Sequence, residues 1–258
     1  MNIDKITKDP QERILLSKVY EKIDAALRRQ IPGNTGFLSP REQELCRYLF
    51  GQVPGLCFFG GYPDAERRML CYLPEYLEER ALYDDHSPVV CLQAAFYQGD
   101  VLTHRDFLGA LMGAGISRES VGDILVSQGR CDFLVTKQIA PFLLQEFTGA
   151  GRVKVRLTQI PLADLVPPEA QVRQIRDTIS SLRLDAAIAS GFRIGRSLAA
   201  KYVTEGRASI DGLPCTKPDK TVAQGMKISV RGLGKILLHS VGGQTKKGRI
   251  SVEIHRYV

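Results

Sequence analysis

The chain has 258 residues, 44% of them hydrophobic and 24% charged, a composition typical of a globular protein with two or three domains. It contains no apolar run long enough to cross a bilayer, and its first ten residues are too polar for a secretory signal, so we expect a cytoplasmic protein without membrane contacts. The six cysteines are scattered without a C-x-x-C pair, which favours reduced thiols over a disulfide framework or a zinc site.

Two helices are predicted near the N-terminus. Apolar spacing predicts an amphipathic helix over residues 11–30, and residues 33–36 are expected to end it in a loop. Ser39 and Glu42 form the pattern of a capping box, so a second helix is expected to begin there and to run to about residue 50. The side of the first helix that should face the core consists of Ile14, Leu15, Tyr20, Ile23 and Leu27.

The rest of the first 80 residues is predicted to be a β-hairpin. Residues 56–62 and 67–73 are apolar runs on either side of residues 63–66, whose composition is typical of a turn. Residues 1–80 are therefore expected to form a small α+β domain. We interpret the arginines at the start of the second strand, Arg67 and Arg68, as a solvated edge and not as a binding site.

Residues 81–160 are predicted to form a second domain with the order β-α-β-β-α-β. This order is typical of the ferredoxin-like fold, which RNA-recognition motifs share. Cys131 and Phe133 occupy the positions where two stacking aromatics are expected, so the domain either binds RNA by charge and shape or only packs against its neighbours. The predicted elements are residues 89–96, 103–112, 121–126, 131–136, 140–147 and 153–159.

Residues 161–180 are interpreted as a connector of modest flexibility, because prolines interrupt regular structure there.

Residues 181–258 are predicted to contain two short amphipathic helices and then a run of short strands. Gly206 suits the C-terminal cap of the second helix, and Asp211-Gly212 predicts a tight turn between strands.

The basic excess of the chain is confined to this last segment. Residues 181–258 contain 14 Lys and Arg against 5 Asp and Glu, a net charge of +9, whereas residues 1–180 contain 21 against 23, a net charge of −2. A basic face on a small domain is typical of a site for a polyanion, and the alternative is an ordinary solvated surface. Arg193, Arg196 and Lys201 lie near one predicted helix start, where backbone N–H groups also favour phosphate.

Residues 182–231 resemble the S-four (αL) RNA-binding domain. Gly195 departs from that family, which usually has a serine before the helix arginine, and Asp211 replaces the usual asparagine of the turn. The motifs that carry the resemblance are Arg183-Leu184-Asp185, Arg196-Ser197-Leu198-Ala199, the run Glu205-Gly206-Arg207-Ala208-Ser209-Ile210-Asp211-Gly212, and Gly225-Met226-Lys227-Ile228-Ser229-Val230.

The resemblance implies RNA contacts by basic side chains of this domain. We rank Arg196 first, Arg193 second and Lys201 third, because arginine can grip a phosphate with two parallel donors. Arg196 is expected to contribute to RNA affinity but little to stability, as an exposed arginine should. Arg183 is ranked lower because it can pair with Asp185. The other candidates are Ser197, Arg207, Lys217, Lys220 and Arg231.

A second resemblance covers most of the chain. Residues 103–116, the pair Arg118-Glu119 and the run Gly122-Asp123-Ile124-Leu125-Val126 resemble the middle domain of YlmH-type bacterial proteins, which carry an S-four domain at the C-terminus. The resemblance implies binding to the large ribosomal subunit, through ribosomal RNA, tRNA or both. It also implies a role in ribosome-associated quality control, in which a stalled nascent chain on peptidyl-tRNA is cleared. No cofactor, metal or small-molecule substrate is expected.

The motifs that could carry chemistry have structural interpretations. Arg183-Leu184-Asp185 is similar to the catalytic triplet of pseudouridine synthases, but only 73 residues follow Asp185, too few for their catalytic domain, so we expect the aspartate to cap and pair within its helices. The glycines between residues 109 and 115 end a helix and lack the Lys-Ser/Thr of a phosphate-binding loop. The four histidines are interpreted as isolated: His86, His104, His239 and His255.

We therefore expect an α+β protein that binds structured RNA and has no catalytic activity. Two alternatives stay open. The first is an RNA-modifying enzyme, similar to a pseudouridine synthase or with an unrecognised site in residues 1–160. The second is a regulator that binds one messenger RNA.

Overall fold

The computed structural model describes residues 3–84, 86–168 and 172–257, and the chain divides into two compact units, residues 1–168 and 169–258. Both units contain helices and antiparallel sheets, so the predicted α+β class is confirmed. None of the helices in the described ranges combines the length and apolar composition needed to cross a membrane.

Six α-helices occur within the described ranges: α1 (Pro10–Arg29), α2 (Pro40–Phe50), α3 (His104–Gly113), α4 (Ala140–Glu146), α5 (Leu184–Phe192) and α6 (Arg196–Thr204). The strands of the first unit are β1 (Gly33–Leu38), β2 (Leu56–Phe59), β3 (Arg68–Tyr72), β4 (Val89–Ala95), β5 (Val121–Ser127), β6 (Arg130–Thr136), β7 (Gly149–Ala150), β8 (Val153–Lys154) and β9 (Arg156–Ile160). Those of the second unit are β10 (Val172–Ile179), β11 (Ala208–Ile210), β12 (Leu213–Cys215), β13 (Lys227–Val230), β14 (Gly234–Gln244) and β15 (Ile250–Tyr257).

The first helix is present, but its buried side differs from the prediction. Asp9 caps α1 by accepting from the backbone N–H groups of Gln11 and Glu12. Ile23 is buried as expected, whereas Ile14 is 58% exposed and does not belong to the core side. The buried row runs at steps of three and four residues, the spacing of one helix face, through Leu16, Val19, Ile23 and Ala26.

The second helix begins with the predicted capping box of Ser39 and Glu42. The predicted loop over residues 33–36 is wrong, because these residues form β1, which pairs antiparallel with β3 in a sheet of order β1-β3-β2. Gly33 and Gly36 are needed there for close packing instead of for a turn. A Cβ on Gly33 would meet the Cβ of Ala26 at 2.5 Å, and one on Gly36 would meet the carbonyl oxygen of Glu119 at 2.8 Å.

The following four-stranded sheet has the order β5-β6-β4-β9, and every neighbouring pair is antiparallel. This is the strand order of a ferredoxin-like sheet, with α3 following β4 and α4 following β6. The predicted last strand over residues 153–159 is divided, because β8 pairs with β7 in a separate two-stranded ribbon while β9 joins the sheet.

The two faces of this sheet pack against different elements. Phe133 and Cys131 belong to the core under α3 and α4, while Leu134, which follows Phe133 and points the opposite way, packs with Phe37 and Met69 of the N-terminal sheet. The prediction that Cys131 and Phe133 hold the stacking positions is therefore wrong, because both side chains point to the helices and the other face of β6 begins one residue further on, at Leu134. The face that carries stacking aromatics in RNA-recognition motifs is covered on β4 and β6 by the first 80 residues.

Asp123 joins the hairpin turn to the middle sheet. Its carboxylate accepts from Tyr62 Oη at 2.7 Å, from the backbone N–H of Glu66 at 2.7 Å and from the backbone N–H of Arg67 at 3.0 Å. Burial raises the pKa of the Tyr62 phenol, and the charge of Asp123 raises it further, so the phenol stays protonated as a donor. The Asp123 carboxylate therefore holds both sides of this junction together.

The arginines of the hairpin are bound to backbone carbonyls, and their interpretation as a solvated edge is wrong. Arg67 donates to the carbonyl oxygens of Phe37 at 2.9 Å, Val121 at 3.0 Å and Arg118 at 3.3 Å. Arg68 donates within its own turn, to the carbonyls of Ala65 and Pro63 at 2.7 Å each. Both guanidinium groups act as structural donors.

We expect Gly122→Ala to lower the free energy of unfolding of the first unit by about 1–3 kcal/mol, the usual cost of overpacking. A Cβ at Gly122 would meet Phe37 Cε1 at 2.6 Å and the Cβ of Leu134 at 3.0 Å. Thermal or urea unfolding measures the change. The matched control is Gly109→Ala in α3, where a Cβ meets nothing within 4 Å and alanine should stabilise the helix by about 1 kcal/mol. Equal effects of the two changes would contradict the packing argument.

The second unit is built on a six-stranded antiparallel sheet with the order β10-β15-β14-β13-β11-β12. Helices α5 and α6 pack on one face of it, over a core that includes Ile188, Val203, Ile236 and Ile254. The tight turn predicted at Asp211-Gly212 is present, with φ of 48° and 82°, and joins β11 to β12. Gly206, with φ of 69°, ends α6 as predicted.

Two features of this sheet differ from the sequence predictions. Strand β10 lies inside the segment interpreted as a connector, yet it pairs along its whole length with β15, and residues 169–171 of that segment lie outside the described residues. Strands β14 and β15 are also longer than the short strands that were expected, with eleven and eight residues. The partner of β10 begins more than seventy residues further along the chain, so local patterns do not reveal this strand.

Candidate RNA interface

Two arginines hold one buried carboxylate at the start of α5. Arg183 precedes the helix, Asp185 lies in its first turn, and Arg196 is the first residue of α6. Asp185 is 4% exposed. Its oxygens accept from Arg183 Nε and Nη2 at 3.2 and 3.1 Å, and from Arg196 Nε and Nη2 at 3.2 and 3.3 Å. Each guanidinium therefore presents two donors to the same carboxylate.

The two arginines also set the ionisation of Asp185. Burial by itself would raise the pKa of this carboxyl, but the hydrogen bonds and positive charges of Arg183 and Arg196 outweigh burial and leave the pKa below its ordinary value. The carboxylate is thus ionised at neutral pH and neutralises one of the two guanidinium charges. The expectation that this aspartate pairs within its helices is confirmed, although it does not cap α5, which has no side-chain cap.

Arg196 is exposed, as expected, but it is also bound within the protein. Its side chain is 47% exposed, and besides Asp185 it binds Ser180 Oγ through Nη1 at 3.2 Å. Removing this side chain would leave a buried carboxylate with one partner. The premise that Arg196 has no structural partner is therefore wrong, while its effect on stability and its contact with RNA stay predictions.

We expect the stability of the second unit to fall with acid because of Asp185. A carboxyl whose pKa is lowered in the folded state stabilises the fold above its unfolded pKa of about 3.9, and this stabilisation is lost as the pH falls through the folded value. Thermal midpoints of a fragment of residues 169–258 between about pH 6 and about pH 3 would measure this. Asp185→Asn should give a flatter pH dependence; a dependence parallel to that of the unchanged fragment would contradict the prediction.

Arg193 and Ser197 are exposed around the short link between α5 and α6. Arg193 has a left-handed backbone with φ of 53°, and its backbone N–H closes the end of α5 on the carbonyl oxygens of Ala189 and Ser190. Among the described residues, its guanidinium has no hydrogen bond or ion pair. Gly195 supplies no side chain to cap α6, as its departure from the family pattern implies, so the first N–H groups of α6 are not capped by a side chain.

A second group lies at the C-terminal end of α6, which we call the Arg207 cluster: Lys201, Tyr202, Glu205, Arg207 and Arg231. Arg207 lies 4.1 Å over the Tyr202 ring and donates to the Arg231 carbonyl oxygen through Nε at 3.1 Å and Nη2 at 2.6 Å. These contacts fix Arg207 in place. The side chains of Lys201 and Arg231 are exposed and extend the positive charge outward.

Lys217 and Lys220 lie on the loop between β12 and β13, which is attached to the start of α5. The backbone N–H of Leu184 donates to the Lys220 carbonyl oxygen at 2.9 Å, and that of Asp185 donates to the Pro218 carbonyl oxygen at 3.0 Å. These bonds attach the loop that carries both exposed lysines to the first turn of α5, where Asp185 lies. We call this group the Asp185 cluster: Arg183, Asp185, Arg196, Lys217 and Lys220.

The nine predicted contact residues thus occupy two clusters and the link between α5 and α6.

The interpretation of all four histidines as isolated is wrong for two of them. The rings of His239 and His255 stack with centroids 3.9 Å apart, and His255 lies 3.1 Å from a Glu253 oxygen. Sequence reasoning missed this group because its members lie on two paired strands whose register is invisible to local patterns.

Comparison with known proteins agrees with this description. Residues 96–164 match a family described as "Putative RNA-binding domain in YlmH". Over 224 residues the chain is 37% identical to "Ribosome-associated protein quality control protein P2" of Bacillus subtilis (strain 168), with 86% of each chain covered. A solved structure, "Cell division protein ylmH from Streptococcus pneumoniae", superposes with a TM-score of 0.51 and 20% identity, covering 62% of this chain and 97% of the other.

The fold and the matched segment define an α+β protein that carries a domain of an RNA-binding family. The identity and coverage of the Bacillus subtilis relative go further, and the chain belongs to the YlmH family, as its sequence resemblance implied. At 20% identity, the Streptococcus pneumoniae structure supports the fold alone.

Proposed function

We propose that this chain binds RNA on the ribosome as a non-catalytic component of ribosome-associated quality control of stalled translation. Its partners are ribosomal RNA of the large subunit, tRNA or both, and it works in the cytoplasm. The observation that carries the proposal is the net charge of +9 in residues 181–258, with Arg193, Arg196 and Lys201 at the end of α5 and on α6. Support comes from the S-four resemblance and from the name of the Bacillus subtilis relative.

The proposed RNA contacts divide into two kinds by their environment. Exposed donors would meet phosphates directly: Arg193, Ser197, Lys201, Lys217, Lys220 and Arg231. Three arginines are already anchored within the protein and would use their remaining N–H groups: Arg183, Arg196 and Arg207. An anchored guanidinium loses less conformational freedom on binding, so these three would set the shape of the surface while the exposed side chains adapt to it.

The environment of Asp185 favours binding over catalysis. A nucleophilic aspartate needs access to its substrate, whereas this carboxylate is 4% exposed and directs its oxygens to two guanidinium groups. RNA modification and regulation of one messenger RNA are therefore alternative outcomes of the experiment and not parts of the proposal.

Sedimentation of the tagged full-length protein with ribosomes would test the proposal. We expect it to migrate with large subunits and whole ribosomes and to crosslink to their RNA or to bound tRNA. Migration with small subunits alone, or crosslinks confined to one messenger RNA, would overturn it. A modification assay on ribosomal RNA from cells with and without the protein is the parallel control, and a modification that depends on the protein would establish the enzymatic alternative.

We also expect RNA affinity to reside in the second unit. A fragment of residues 169–258 should retain most of the affinity, and it must include β10 because this strand pairs with β15. Its affinity should fall steeply with salt, with a log–log slope of roughly −0.7 to −0.9 for each phosphate that it neutralises. Filter binding at several salt concentrations measures both quantities. A fragment of residues 1–168 that binds as tightly would contradict the charge argument.

A further inference from the structure

The six-stranded sheet of the second unit carries a group of potential metal ligands on the face away from its helices. One ligand atom each from His239, Glu253 and His255 can be chosen so that all lie within 4.8 Å of one another. The imidazole rings stack with an interplanar angle of 12°, and His255 Nε2 is 3.1 Å from Glu253 Oε1. It is the one group of three such side chains that the described part of the chain brings together.

The strand register explains why these side chains converge. In β15, Glu253 and His255 alternate with the buried Val252 and Ile254, so the two point to the same outer face. In β14 the pairing shifts between Leu238 and Ser240, which produces a bulge at this point. Continuing the register of the pairs Leu237–His255 and Leu238–Ile254 places His239 opposite Glu253, and the ring of His239 lies over that of His255.

We propose that His239, Glu253 and His255 form a binding site for a divalent transition-metal ion of the zinc class. Two imidazole nitrogens and one carboxylate oxygen are a donor set that zinc uses in proteins, with water completing the tetrahedral shell. The side chains of His255 and Glu253 are 14% and 23% exposed, while His239 is exposed, so the ion enters from solvent on the His239 side.

Arg176 competes with the ion for the carboxylate. Arg176 lies on the neighbouring strand β10, opposite Glu253. Its Nε is 3.6 Å from Glu253 Oε2, and its side chain is 79% exposed. Binding of the ion requires the His255–Glu253 hydrogen bond to open and Glu253 to turn toward the histidines, which weakens its pairing with Arg176. The ion would then join β14 to β15 at the bulge, where regular pairing is interrupted.

Calorimetric titration of the untagged full-length chain with Zn²⁺, after treatment with a chelator and a reductant, tests the proposal. We expect one Zn²⁺ for each chain. His239→Ala, Glu253→Gln and His255→Ala should each weaken binding by at least about tenfold, the smallest effect usual even for an outer-shell partner. Arg176→Ser should strengthen binding, because it frees Glu253. A merely structural role for these side chains does not predict that gain.

The matched controls are the remaining histidines and a half-buried thiol. His86→Ala, His104→Ala and Cys215→Ser should leave Zn²⁺ affinity unchanged, which excludes adventitious binding to imidazole or cysteine elsewhere. If a ligand variant does not fold, the ring signals of the unchanged protein decide by NMR, since Zn²⁺ should shift those of His239 and His255 alone. Absence of Zn²⁺ uptake, or uptake that His239→Ala leaves intact, would overturn the proposal.

Discussion

Asp123→Ala is expected to destabilise the first unit by about 3 kcal/mol, since a hydrogen bond to a charged group contributes roughly 1.5–3 kcal/mol and losses within one network do not add fully. The carboxylate accepts from Tyr62 Oη and from two backbone N–H groups of the hairpin turn. Its removal leaves all three donors without this acceptor at a junction between two sheets. Urea unfolding followed by circular dichroism measures the loss.

The matched control is Asp64→Ala, in the same turn. Asp64 is exposed, and a substitution of that kind usually changes stability by no more than about 0.5 kcal/mol. Asp123→Asn should fall between the two, because an amide retains one acceptor oxygen. If Asp123→Ala unfolds at the same urea concentration as Asp64→Ala, the carboxylate does not hold the junction.

Arg196→Ala is expected to affect both stability and RNA affinity, whereas Arg193→Ala should affect affinity alone. Loss of Arg196 leaves the buried Asp185 with Arg183 as its remaining guanidinium partner, and we expect a destabilisation of about 2 kcal/mol, within the range for hydrogen bonds to charged groups. Arg193 is exposed and makes no side-chain bond within the described ranges, so its loss should change stability by no more than about 0.5 kcal/mol.

Thermal unfolding and RNA binding of the two variants, measured side by side at a temperature where both are folded, separate the two roles. We expect Arg193→Ala to weaken RNA binding by about 1–3 kcal/mol if it meets a desolvated phosphate. An Arg196→Ala protein with an unchanged thermal midpoint would show that the pairing with Asp185 is not a structural requirement. Unchanged RNA affinity in both variants would show that RNA binds elsewhere.

Local signals account for what the sequence predicted well. The capping box of Ser39 and Glu42, the turn at Asp211-Gly212 and the end of α6 at Gly206 are each determined within a few residues, and each is present. The ferredoxin-like order of elements follows in the same way, since it requires only the type of each segment and not its pairing partner.

Features that depend on distant partners could not be predicted. The sequence shows Arg193 and Arg196 as two basic residues three positions apart, but only the packing of α5 against α6 brings Arg196 to Asp185 and leaves Arg193 exposed. Strand β10 lies in a segment whose prolines favour a connector, and its partner β15 begins more than seventy residues after it. The His239 group likewise depends on the register between β14 and β15, which is defined by pairing and not by composition.

The shared core of the first unit constrains the order in which the chain can fold. Phe37 and Met69 pack with Leu134 and Leu165, so the apolar side of the N-terminal sheet has no cover until the chain has been synthesised past the middle sheet. Contacts between residues so far apart in sequence form slowly. We therefore expect this face of the N-terminal sheet to be covered only when the middle sheet forms, while the opposite face can pack against α1 and α2 earlier.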